Sequence, residues 1–324
     1  MGQGEFDLIA NHLRPLASDF KGALNLSDDS ALVHPKAGQT LVVAKDAMVE
    51  NVHFLPDDPP DTIAAKLLRT NLSDLAAMGA KPLAYLTALM LPQDISDDFL
   101  QAFASGLAKD QAQFGLSLIG GDITRTSGPL ALSCTIIGEA PADAVITRAS
   151  AHAGDLIWVS GSLGEAALGL RIRQGLAADE EISLELVERY RRPIPRLALG
   201  QRLRGMASAM IDVSDGLVAD LGHVANASGV TAQIHVDQLP IREVVKALPG
   251  AVDAVLTGGD DYELLFTAPA QLSDQIKQLG IELSLPLTVI GRIDEATGQN
   301  ATNRVAVHGP QGPIKLAKTG WRHR

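Results

Sequence analysis

Acidic residues recur in this chain where buried-looking segments end. Six short motifs carry them: Ser27-Asp28-Asp29, Lys45-Asp46, Asn71-Leu72-Ser73-Asp74, Gly120-Gly121-Asp122, Asp212-Val213-Ser214-Asp215-Gly216 and Gly258-Gly259-Asp260-Asp261. Carboxylates placed beside turns after apolar runs, or on a helix flank, suggest convergence, and convergence is costly. Two carboxylates about 4 Å apart repel by roughly 4 kcal/mol at an effective dielectric of about 20, which is about 3 pK units. Such a cluster protonates, stays open or takes up cations, and the chemistry it suits is a site holding several Mg2+ ions for a polyphosphate.

Each motif also has a plain structural reading. Asp74 falls in a predicted helix from Asp61 to Met78 and shares a face with Ile63, Leu67, Asn71 and Met78, while Lys66, Arg69 and Ser73 point elsewhere. It is either a surface-edge acid or a ligand. Gly120-Gly121-Asp122 is either a simple turn or a place where backbone closely approaches a phosphate. In the 212–216 motif, Asp212 and Ser214 share one side of an extended strand end, and Asp215 could cap a helix starting at Leu217. Ser214 is a poor nucleophile candidate, because a hydrolase elbow needs Gly where Asp212 stands. Gly161-Ser162-Leu163-Gly164 resembles a weak phosphate loop, although a plain strand-to-helix turn is the better reading and no Walker sequence occurs. By spacing alone His53 reads as a core imidazole before a substrate contact. Trp321 could cover a hydrophobic edge or stack on a heteroaromatic ligand.

The elements that must position these residues alternate. Leu41 to Ala44 reads as a strand, Pro59-Pro60-Asp61 opens a helix ending near Gly79, and Leu83 to Leu91 is a second apolar segment. Ser96 is a plausible N-cap for a helix reaching about Phe114, and Leu116 to Ile119 and Leu130 to Ile137 are further strands. Residues 138–154 read as the passage into a second unit, giving an N-terminal domain over 1–142 and a C-terminal domain over 143–324. The second unit opens with Leu156 to Val159, then carries a charged helix around Glu185 to Arg192 and short apolar runs at Ala209 to Ile211 and Val252 to Leu256.

The 324 residues suit two domains of ordinary size, with 46% apolar and 20% charged residues. No apolar stretch approaches a membrane span. The start, Met1-Gly2-Gln3-Gly4-Glu5-Phe6, lacks signal-peptide features, and the single cysteine, Cys134, excludes an intrachain disulfide. Cytoplasmic, oxygen-ligand chemistry is the expectation. The formal charge of −11 argues against nucleic acid, though not against a nucleotide held through divalent cations.

In this order the motifs resemble the thiamine-monophosphate kinases of the aminoimidazole ribonucleotide synthetase superfamily. The resemblance runs from Gly4-Glu5-Phe6 through Val49 to Phe54, Asn71 to Gly79, Leu118 to Thr124, Ile146-Thr147-Arg148, Ile211 to Leu217 and Gly259 to Phe266, and reaches Gly320-Trp321. It implies an α/β (α+β) two-domain fold whose N-terminal domain pairs with its copy in a homodimer and whose C-terminal domain closes the cleft. It implies ATP-dependent transfer of a phosphoryl group onto thiamine monophosphate. It further implies Mg2+ ligands at Asp29, Asp46, Asp74, Asp122, Asp212 and Asp215, with Asp28 accessory. ATP contacts would come from Gly121, Asp122, Arg148 and Ser214, and contacts to thiamine phosphate from His53, Asp260 and Trp321; no separate nucleophile is assigned. Two departures stand out: Ser27 where the family often has Gly, and Ala44-Lys45-Asp46 where it usually has Ser-Thr-Asp. The competing readings are another ATP-dependent synthetase of the superfamily and a nucleotide-binding regulator without turnover.

Overall fold

The protein is described by a computed structural model covering residues 5–296 and 304–321, so Gly4 of the first motif lies outside the described residues. The chain forms two compact units, residues 1–75 with 80–143, and residues 76–79 with 144–324.

The first unit is built on a four-stranded sheet of β1 (Gln39–Val49), β2 (Lys81–Pro92), β3 (Ser117–Thr126) and β4 (Ala131–Pro141), in the order β1-β4-β2-β3. β4 is antiparallel to both neighbours, while β2 and β3 run parallel. A parallel pair needs a crossover, and α2 (Asp97–Phe114) supplies it, with Ser96 accepting the Phe99 N–H at its start and Gly115 in the left-handed region at its end. Helix α1 (Pro60–Ala77) opens with Pro60 and Asp61, a residue pair suited to a first turn. It is buried more completely than its periodicity predicts. Every residue from Thr62 to Leu68 is buried, Lys66 among them, and so is Ser73; both were expected to point away.

The register fixes which side chains share a face. Lys45 pairs with Thr135, Thr135 with Leu86, and Leu86 with Gly120; the row Ala47, Ser133, Ala88 and Asp122 lies two residues along on the same face. Asp46, Cys134, Thr87 and Gly121 form the row between them, on the opposite face.

The second unit carries a seven-stranded sheet: β5 (Leu156–Ser160), β6 (Ala209–Asp212), β7 (Thr231–His235), β8 (Leu264–Ala268), β9 (Leu287–Asp294), β10 (Val305–Gly309) and β11 (Gly312–Pro313). Their order is β11-β10-β7-β9-β5-β8-β6, with only β7 and β10 parallel. Helices α3 (Glu165–Arg173), α4 (Glu180–Arg191), α5 (Leu197–Arg202) and α6 (Leu217–Ser228) are joined by α7 (Ala251–Thr257), which takes up the apolar run Val252 to Leu256, and α8 (Ser273–Glu282). Ile157, Val159, Ile211, Leu221 and Ile290 centre its core.

Candidate active site

In the first unit, Asp28, Asp29, Lys45, Gly121 and Asp122 line one cavity of about 440 Å³. The approach to the two aspartates is unusual: Leu24, Asn25 and Leu26 all lie at positive φ, and the Ser27 hydroxyl donates to the Leu24 carbonyl at 2.6 Å. The Asp29 N–H donates to Asp28 Oδ1 at 2.9 Å. Gly120-Gly121-Asp122 is not a turn, as its glycines suggested, but lies inside β3. Gly121 is required by packing, because a Cβ there would lie 2.2 Å from the Thr87 carbonyl oxygen on the paired strand.

Asp46 stands apart from this cavity. Its N–H donates to Asn71 Oδ1 at 3.0 Å, and the fully buried Asn71 anchors back to the Leu67 carbonyl at 2.8 Å, so Asp46 belongs with α1, which also carries Asp74 one turn beyond Asn71. His53 is neither a plain core ring nor a loose one. Its Nδ1 accepts the Val49 N–H at 3.0 Å, which leaves the ring proton on Nε2. The buried Lys66 ammonium donates to the His53 carbonyl at 2.9 Å, and Asn51 turns the chain at φ 65°.

In the second unit three segments interlock. Asp212 ends β6, and the next residues wrap one carboxylate oxygen: Asp220 Oδ2 accepts the N–H groups of Ser214, Asp215 and Gly216 at 3.0, 3.1 and 3.1 Å. Asp215 therefore does not cap α6. Gly216 occupies the N-cap at φ 124°, and Asp220, one turn inside, satisfies the exposed amides. Burial pushes the Asp220 carboxyl up to about 8, helped by the charges of Asp212 and Asp215 and opposed by the amide bonds. The 258–263 segment then docks on this turn: Asp260 and Tyr262 donate to the Ser214 and Val213 carbonyls, each at 2.9 Å. Asp260 and Tyr262 both sit at positive φ, 69° and 51°, a conformation that side-chain-bearing residues hold only when over-determined. Finally the Trp321 backbone N–H donates to the Asp215 carbonyl at 2.9 Å, and the residue is 54% exposed.

These contacts bring Asp212, Ser214, Asp215, Asp260 and Trp321 together. Arg148 is not among them: its carbonyl accepts from Ser228 Oγ at the far end of α6, about 18 Å along the helix from Gly216. The Gly161-to-Gly164 turn binds a carboxyl group of the protein's own, since Asp261 Oδ2 accepts the Gly164 N–H at 2.8 Å. Desolvation holds the Asp261 carboxyl well above the usual range. Its neighbour Glu263 is buried in a pair with Arg196 and accepts from Ser160 Oγ.

The donor set fits a hard divalent cation such as Mg2+. It consists of carboxylates, and the charges of Asp212 and Asp215 add to the upward push that burial gives Asp220. Asp215, Asp220 and His223 also have ligand atoms within 4.8 Å of one another, although Asp220 is already engaged by three amides. Sequence reasoning missed Asp220 and Lys66, and it named Asp261 in its motif without a role. Acids and lysines whose partners are backbone groups leave no motif; the one available signal was Asp220 four residues into a helix that begins at a Gly.

The sequence family described as AIR synthase related protein, N-terminal domain, matches residues 27–140, and the corresponding C-terminal domain matches residues 152–302. The thiamine-monophosphate kinase of Caulobacter vibrioides is 38% identical over 98% of this chain and 90% of its own length. The crystal structure of thiamine-monophosphate kinase from Stenotrophomonas maltophilia K279a is similar at a TM-score of 0.83 and 41% identity, covering 95% of this chain and 97% of that one. AaThiL complexed with AMPPCP and TMP is similar at a TM-score of 0.76 and 30% identity, covering 100% and 99%. With kinship running through both halves and nearly the whole length of its relatives, the chain belongs to the AIR synthase related proteins and, among them, to the thiamine-monophosphate kinase family.

Proposed function

We infer that the chain is an ATP-dependent phosphotransferase that converts ATP and thiamine monophosphate to ADP and thiamine diphosphate. The observation that carries this reading, beyond membership of the family, is the interlock of the 212–216 turn, the 258–263 segment and Trp321. It ties together the backbone segments that carry Asp212, Asp215, Asp260 and the exposed Trp321. A phosphate acceptor is already an anionic nucleophile, so the reaction needs no strong general base. In-line positioning and charge neutralisation suffice.

Within this reading Asp29, Asp74 and Asp122 of the first unit, with Asp46, and Asp212 and Asp215 of the second, hold Mg2+, which when bound neutralises the charge on the transferring phosphoryl group. Gly121 and Ser214 contact ATP. Arg148 is kept as an ATP contact through its long, exposed side chain. His53 offers its Nε2 proton to an acceptor oxygen, and Asp260 and Trp321 hold the thiamine moiety. A single backbone hydrogen bond links Trp321 to Asp215. The enzyme works in the cytoplasm, where ATP is supplied, and as a homodimer; the open edges β1 and β3, with Leu41 and Val43 exposed on β1, support pairing.

The test is thiamine diphosphate formation by purified protein from thiamine monophosphate and ATP, with and without Mg2+, and with free thiamine as control acceptor. Mg2+-dependent product from the monophosphate alone is expected. ATP binding without product would rule out the transferase.

A further inference from the structure

Lys45 lies in the middle of the edge strand β1, with its side chain on the face of the sheet that carries Asp122. Lysine and aspartate line the same cavity, together with Asp28 and Asp29. Lys45 and Asp122 stand on opposite edge strands, β1 and β3, and the Lys45 side chain makes no hydrogen bond or ion pair with any described residue. An ammonium has three donors and no acceptor, so an unengaged one in a cavity wall can receive an anion. The acids around it serve cations. At about 440 Å³ the space falls within the range of ligand sites. Gly120, on the same face, contributes no side chain to fill it.

We propose that Lys45 is a phosphate-gripping residue: its ammonium pairs directly with an oxygen of the nucleotide's polyphosphate and takes the place of one divalent cation that the neighbouring acids would otherwise hold. This rests on the reading of the chain as an ATP-dependent kinase. A mixed wall of this kind fits a metal-bridged polyphosphate better than a monophosphate, because it offers one direct cationic contact beside several acids that reach phosphate only through bound ions. Lys45 is exposed, so replacing it leaves packing intact.

The experiment measures binding, not turnover. Calorimetry with a non-hydrolysable ATP analogue, and separately with thiamine monophosphate, is run on the unmodified protein, Lys45→Met, Lys45→Arg and Lys45→Thr at fixed Mg2+. Removing a charged hydrogen bond of this type is expected to weaken the analogue about tenfold or more in Lys45→Met, with thiamine monophosphate unchanged and Lys45→Arg close to the unmodified protein. Mn2+ counted by electron paramagnetic resonance in the presence of the analogue should rise by one ion per chain in Lys45→Thr, whose hydroxyl can ligate a cation. Unchanged analogue affinity in Lys45→Met, equal Mn2+ counts, a loss confined to thiamine monophosphate, or failure of the unmodified protein to bind the analogue would each overturn the assignment. Analogue binding that depends on Lys45 in a protein without turnover would instead retain Lys45 and remove the kinase reading.

Discussion

Asp220 holds three successive amides with one carboxylate oxygen while Asp212 and Asp215 stand close by, so its charge is both needed and resisted. Its folded pKa, about 8, lies above the ordinary carboxylate value. The sign follows: the folded state binds a proton more tightly than the unfolded state, so the contribution of this group to stability is complete below the ordinary carboxylate range and is lost as pH rises to about 8. Asp220→Asn keeps an acceptor and removes the charge, and should flatten that decline in urea-unfolding curves recorded between acid and mildly alkaline pH. Asp220→Ala orphans the amides and should cost about 1–3 kcal/mol at every pH. Equal pH profiles for the parent and Asp220→Asn would refute the assignment. The acids read as ligands behave differently. Asp122→Asn and Asp212→Asn should each abolish thiamine diphosphate formation while thermal unfolding stays near that of the parent, and near-normal turnover in both would sink the multi-ion site.

At the scale of elements, Gly121 links strand packing to the site. A Cβ at this position would press on the Thr87 carbonyl oxygen at 2.2 Å, so Gly121→Ala must part β2 from β3 beside Asp122. A cost of about 1–3 kcal/mol in thermal unfolding is expected, typical of overpacking. Gly128→Ala, with 3.4 Å of clearance, should stay within about 0.5 kcal/mol. Similar midpoints for the two would show that strand packing does not require glycine at position 121. This glycine also marks where reading the sequence stops. Helices α1 and α2 were legible because Pro60, Asp61, Ser96 and Gly115 punctuate them locally. Gly120-Gly121 carries the same local signature as a turn, and only the neighbouring strand shows that the glycines serve close approach within β3. The apolar run in α7 is too short for its period to declare a helix. Asp215 was read in competition with a helix cap, and what decided the matter was Asp220, whose partners are backbone amides that no side-chain pattern encodes.

At the scale of the whole molecule, the sheet order bears on how the proposed ligands combine. β1 and β3 are opposite edges of the β1-β4-β2-β3 sheet, three strand spacings or about 14 Å apart. Asp46 and Asp122 also point to opposite faces. Mg2+ binds oxygen at about 2.0–2.1 Å, so one ion cannot join these two side chains within a single chain. Leu41 and Val43, 36% and 60% exposed on β1, mark that edge as a surface suited to a second copy. If a homodimer brings Asp46 of one chain to Asp122 of its partner, two inactive variants should complement. Co-expressed Asp46→Asn and Asp122→Asn chains pair at random, half the dimers are mixed, and each mixed dimer holds one site with both acids and one with neither. Turnover should then recover to about a quarter of the parent value, although each variant alone is inactive. Activity no higher than that of the separate variants would mean that Asp46 and Asp122 serve different ions within their own chain. A Val43→Glu substitution, by placing a carboxylate on that edge, should lower the assembly state in sedimentation; it should reduce turnover in parallel only if the acids are shared between copies.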